Sequence, residues 1–155
     1  MATTICYDIL GNLIPVSPEA LIFRPAVYGI FIENNQTFLL KHPQTELYYP
    51  PGHMLAEDET PTQAIRHQFR DLTGMTPKIG PLIFLEDRYF VDDDHRAWHL
   101  SALYYALERP TTAATQFSDI DTTKRPEWVH LDNLQRQQMQ FGYEAIQAGR
   151  LQLKL

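Results

Sequence analysis

The chain has a single cysteine, Cys6, so it closes no internal disulfide and suits a reducing compartment; Cys6 itself reads as a small buried hydrophobe. Lysine and arginine form no cluster and the net charge is −6, which argues against a nucleic-acid partner gripped through its phosphates. A phosphate ligand is then expected to be small and accompanied by a divalent cation. Long apolar runs are missing too. Stretches such as AVYGIFI at 26 to 32 fall far short of the roughly 20 residues that cross a bilayer. No basic start leads into an apolar stretch, as a secretory signal requires. These absences give the expectation of a soluble, cytoplasmic protein with no membrane partner. There is no internal repeat and no low-complexity tail. The length of 155 residues suits one domain, spanning 1–155 with 1–20 as an N-terminal extension.

What is present is a regular alternation of strand and helix signals. Residues 26 to 34 and 37 to 42 are β-branched and aromatic and flank the polar turn Asn34-Asn35-Gln36, which reads as a hairpin. A short strand, ELYY, runs into Pro50-Pro51-Gly52, where Gly52 is expected to let the backbone approach a ligand closely. The strongest helix signal covers about 61 to 73: Thr60 as N-cap, Pro61 at the first helical position, Gln63 completing a capping box and Gly74 as terminator. Ile65, Phe69 and Leu72 form one apolar stripe on it.

Strands follow at 81 to 91 and 97 to 108, joined at Asp92-Asp93-Asp94, then a long surface loop over 109 to 125. A strand at 127 to 131 leads through Asp132, read as an N-cap, into a helix of about 133 to 148 ended by Gly149. The first twenty residues read as a hairpin turning at Gly11-Asn12 or as an arm for homodimer contact. The order of elements predicts an α/β (α+β) sandwich with a mixed sheet.

Between His53 and Met75 the chain resembles the Nudix hydrolases. Anchored on the helix end, their signature places its opening glycine on His53, its first glutamate on Glu59, its Arg-Glu on His67-Gln68, its Glu-Glu pair on Asp71-Leu72 and its closing residues on Gly74 and Met75. A second frame from Gly52 puts Asp58 and Arg66 on the first glutamate and the arginine but misses Gly74 by one residue, so the capped frame is preferred. The resemblance extends over residues 20 to 150 and implies a Nudix-like α/β/α sandwich.

It also implies chemistry that this sequence only partly supports. In the family, carboxylates at i, i+3 and i+4 converge on Mg²⁺ or Mn²⁺, which bridges diphosphate oxygens. Here that face reads Gln68, Asp71, Leu72, a degenerate box in which Leu72 joins the apolar stripe. The implied metal ligands are Asp71, Gln68, Glu59 and a Gly52 or His53 carbonyl. With Gln68 and Leu72 unable to take a proton, Glu59, Glu57 and Asp58 become the candidates for activating water, Glu59 first. Glu86, Asp87 and the aspartate run are further acids within reach. Arg66, Tyr48, Trp98 and Tyr104, with Tyr28 and Phe90, are candidates for ligand contact by charge or ring stacking. His95, His99 and His130 show no metal-ligand spacing.

Two readings stay open: a hydrolase of a nucleoside diphosphate linked to another moiety, such as a nucleotide-sugar, with a modified metal site; or an inactive Nudix-fold domain that binds such a ligand. A diphosphate-ester isomerase on the same scaffold lacks a recognisable cysteine or acid pair. A bound divalent ion near Asp71 favours the enzyme; a buried Leu72 over an uncharged pocket favours the binder.

Overall fold

A computed structural model describes residues 2–111, 117 and 120–153. Its strands are β1 (Thr4–Tyr7), β2 (Leu13–Val16), β3 (Leu21–Glu33), β4 (Gln36–Lys41), β5 (Tyr48–Tyr49), β6 (Gly52–Met54), β7 (Lys78–Val91), β8 (Ala97–Glu108) and β9 (Glu127–His130). Its α-helices are α1 (Pro61–Thr73) and α2 (Tyr143–Gln152). The sheet order is β2-β1-β7-β8-β3-β4-β5, with β6 added to β3 and β9 to β4. β3 runs parallel to β8 and β1 parallel to β7, whereas the other pairs are antiparallel, so the sheet is mixed.

The period-2 alternation of β3 builds the two layers. Val27 and Phe31 join Phe38, Leu40 and the α1 residues Ile65, Phe69 and Leu72 on one face. Ala26, Tyr28 and Ile30 join Leu100, Tyr104 and the α2 residues Ala145 and Ile146 on the other. The expected α/β/α sandwich is therefore observed. Cys6 is fully buried against Val91 and Ala97.

Local signals decide most boundaries. Asn34 and Asn35 both take left-handed conformations, with φ of 52° and 61°, which is the backbone of a tight hairpin turn. Thr60 Oγ1 accepts from the Gln63 amide, the Gln63 side chain accepts from the Thr60 amide, and Gly74 closes α1 at φ 76°. The N-terminal segment is a hairpin held to β7 of its own chain, Tyr7 opposite Phe90.

Two expectations change. Asp132 caps no α-helix: a short 3₁₀ turn spans Leu131–Asn133 and another Arg136–Gln138, and α2 begins only after Gly142, whose φ of 89° no right-handed helix accommodates. Gly149 lies inside α2, where a side chain would crowd Ile30, Ile32 and Ile83, so it is a packing residue and not a terminator. Residues 112–116 and 118–119 of the expected surface loop lie outside the described residues. Among the described residues no helix is long and apolar enough to cross a membrane.

The aspartate turn is more than a solvated corner. Asp92 accepts from the Asp94 and Arg96 amides through one oxygen, and from Trp98 Nε1 at 2.9 Å and Arg96 Nε at 3.1 Å through the other. Its side chain is 19% exposed. Burial alone would raise its carboxyl; these donors outweigh burial and hold it below the usual carboxylate range. Asp92→Asn forces an amide donor against other donors and is expected to cost about 1–3 kcal/mol. A depressed carboxyl contributes stability above its unfolded pKa and loses it as pH falls through the lower folded value. In urea unfolding, the gap between wild type and variant should accordingly be full at neutral pH and close in acid.

Candidate functional site

β6 is placed by β3, with Val27 opposite His53 and Tyr28 opposite Gly52. Gly52 is required there because a Cβ would overlap the Val27 carbonyl oxygen and the Tyr28 ring. The close approach that requires glycine is to the chain's own strand. The consequence is that the His53 side chain turns toward α1. Its Nδ1 lies 2.6 Å from Gln68 Oε1 and its Nε2 lies 3.1 Å from Glu59 Oε1. Because a carboxylate only accepts, Nε2 donates to Glu59. Glu59 Oε1 also accepts from the Ala56 amide at 3.0 Å, and that bond, followed by the one from His53, holds its carboxyl below the usual range.

α1 brings the rest. His67 and Asp71 are exposed, Gln68 is half-buried, and Leu72 is 3% exposed within the core formed with Phe69 and Ile65. The opposite wall comes from the segment after β8: the Asp121 amide donates to the Leu72 carbonyl at 2.8 Å, and Asp121 Oδ1 accepts from the Thr123 amide and hydroxyl, folding Thr122–Lys124 into one 3₁₀ turn. The result is a cleft of about 390 Å³ lined by His53, Glu59, His67, Gln68, Asp71, Asp121 and Lys124, with the buried Leu72 at its floor. Its charges are mixed, so the uncharged pocket foreseen for a pure binder is absent. Asp121 and Lys124 were not among the sequence candidates; the Asp-x-Thr spacing of an Asx turn was their only local signal.

Other candidates lie elsewhere. Glu57, Asp58 and Arg66 are exposed and do not line the cleft. Tyr48 Oη donates to Glu127 at 3.0 Å, under the Lys41 ammonium 5.0 Å from its ring centre. Trp98 and Tyr104 are buried at 7% and 0% on the α2 face, their polar atoms donating to Asp92 and Glu86. Neither ring is available to stack on a ligand without repacking that core.

The donor set fits a resident metal cluster poorly. Among the described residues no three His, Cys, Asp or Glu side chains converge to hold an ion. Gln68 is engaged by His53, Leu72 has no donor atom, and Glu59 is already bonded twice, which leaves Asp71 as the unengaged carboxylate on that helix face.

No family profile and no curated protein matches the chain. Solved structures do. A MutT NUDIX hydrolase from Burkholderia pseudomallei superposes with TM-score 0.59 at 16% identity, over 74% of this chain and 88% of that one. The chain has the Nudix fold. An ADP-ribose pyrophosphatase from Streptococcus suis gives TM-score 0.55 at 13% identity, over 84% and 90% of the two chains. NrtR from Shewanella oneidensis gives 0.63 at 16% identity, covering 83% of this chain and 62% of its own, and a related NrtR structure is a complex with DNA. At these identities the likeness is one of fold, and the Nudix fold here carries neighbours of both enzymatic and other names.

Proposed function

We infer that this Nudix-fold domain binds a small nucleotide or nucleotide-sugar diphosphate at the α1 cleft and does not turn it over through a resident metal cluster. The observation that carries this is the fate of the box face: Gln68 is hydrogen-bonded to His53 and Leu72 is packed in the core, so one carboxylate remains where the family's chemistry uses three. Lys124 and His67 offer the diphosphate donors from the protein itself. A small-molecule partner accords with the net charge of −6.

One observation favours the hydrolase reading instead. Asp71 and Glu59 share the cleft, and two carboxylates suffice for a Mg²⁺ or Mn²⁺ that arrives bound to substrate phosphates. The test is calorimetric titration with ADP-ribose and with a UDP-sugar, with and without millimolar Mg²⁺ or Mn²⁺, alongside an assay for released monophosphate. Binding without turnover in either condition is the expected result. Divalent-dependent turnover that Asp71→Ala abolishes, in a variant that still unfolds cooperatively, would replace this reading with the enzyme.

A further inference from the structure

α1 covers only part of its face of the sheet. It packs over β3 from Val27 onward and over β4, and on that side the start of β3 and the adjoining parts of β7 and β8 stay open. The pairing of the three strands orders this open area into rows: Tyr89, His99 and Phe23 stand in one, Asp87 in the next and Leu85 in a third. Leu85 and Phe23 are therefore the two ends of a diagonal.

Both ends are large, apolar and in water: Phe23 is 59% exposed and Leu85 57%. The Phe23 end is already ordered, since its ring meets His99 edge-on at 5.1 Å and Tyr89 stacks on the other side of His99 at 4.6 Å. Rings held in place before a partner arrives lose little freedom when they are buried, and aromatic side chains are enriched at the centres of protein interfaces. Between the ends lies one pair of opposite character. His99 Nε2 is 2.9 Å from Asp87 Oδ1, and the Asp87 carboxylate is exposed. None of these rows contains a lysine or arginine, so in a chain of net charge −6 the face does not suit an anionic lipid surface.

We propose that this open face is where two copies of the chain associate about a two-fold axis. The pattern is complementary to itself. Take an axis lying in the plane of contact and crossing the line from Asp87 to His99 at its middle and at right angles. It exchanges those two side chains, so each carboxylate comes beside the other copy's imidazole. With spacings of about 3.3 Å along a strand and about 4.8 Å between strands, the same rotation carries Leu85 over Phe23 of the second copy. One operation thus buries both apolar ends and sets the acid against the base, which a partner of unrelated sequence matches only by coincidence. The contact is independent of the reading given to the α1 cleft.

Sedimentation equilibrium of the full chain, from low micromolar to near-millimolar loading, tests it. A concentration-dependent monomer–dimer equilibrium is expected, because three strand segments offer less than the roughly 800 Å² per partner of a standard interface. Leu85→Glu and Phe23→Glu, each at an exposed side chain, should weaken association by about 10-fold or more and leave the urea midpoint at the wild-type value. Leu85 and Phe23 of one chain lie about 16 Å apart on the sheet, too far for a disulfide. The double variant Leu85→Cys with Phe23→Cys should therefore oxidise to a covalent dimer at concentrations that populate the pair, and neither single variant should. A monomer at every loading, a dimer indifferent to both glutamates, or one weakened only by Leu13→Glu on the N-terminal hairpin would each overturn the proposal. None of these outcomes alters the reading of the α1 cleft.

Discussion

Leu72→Glu is expected to lower folding stability by about 3–5 kcal/mol, because it places an uncompensated carboxylate in a packed core. Leu72 is 3% exposed and shares its cluster with Val27, Phe31, Ile65 and Phe69. The substitution restores the residue that the Nudix signature carries there, so on sequence grounds alone it looks like a repair. The structure says otherwise: the apolar stripe of α1 has widened to include position 72, and the sheet beneath has been packed to match. The urea midpoint should fall with little change in slope. An unaltered midpoint together with newly tight Mg²⁺ binding would show that the side chain faces the cleft, and would return the site to metal chemistry.

Phe69→Ala should be about as damaging, at about 3–5 kcal/mol. Phe69 is 1% exposed; its ring stacks on Phe31 at 5.4 Å and meets Phe38 and Phe117 edge-on, each at 5.8 Å. These rings seat α1 on β3 and β4, and α1 carries Gln68 and Asp71 beside that anchor. Ligand affinity at the cleft should therefore fall with stability, even though Phe69 does not line it. A variant that lost stability but bound ADP-ribose as wild type does would show that the helix keeps its seat without the ring.

These two residues mark what was legible in the sequence. The ends of α1 could be read because a capping box and a left-handed glycine act within one turn, with no tertiary help. The same holds for the Asn34-Asn35 hairpin. The start of α2 could not, because Gly142 and the two 3₁₀ turns before it depend on how the chain crosses from β9 onto the sheet. Glycine spoke ambiguously throughout: Gly52 signals a close approach and Gly149 a small residue, but neither says to what. At the site, Glu59, Gln68 and Asp71 came from the resemblance to the Nudix signature along one helix and its entry, and the fold does bring them to one cleft. The His53 side chain was missed because its partners lie 6 and 15 residues away and its direction is set by β3. Lys124 and Asp121 arrive from a segment with no periodicity at all. Trp98 and Tyr104 were proposed for stacking because aromatics suit both cores and ligands, and composition does not distinguish the two.

The parallel pairing of β3 with β8 has a consequence in time. Leu21 sits opposite Ala97 and Phe31 opposite Leu107, so every partner is 76 positions further along the chain. The central ladder cannot zip from a local turn; it must close a loop that contains β4, β5, β6, α1 and β7. Non-local pairing of this kind slows folding by comparison with hairpin-built sheets, since closure entropy is met before the contacts that repay it. β7 and β8 can form early as a hairpin around Asp92, and β3 with β4 around Asn34, leaving the docking of one hairpin onto the other as the slow event. Destabilising the Asp92 turn should then retard refolding.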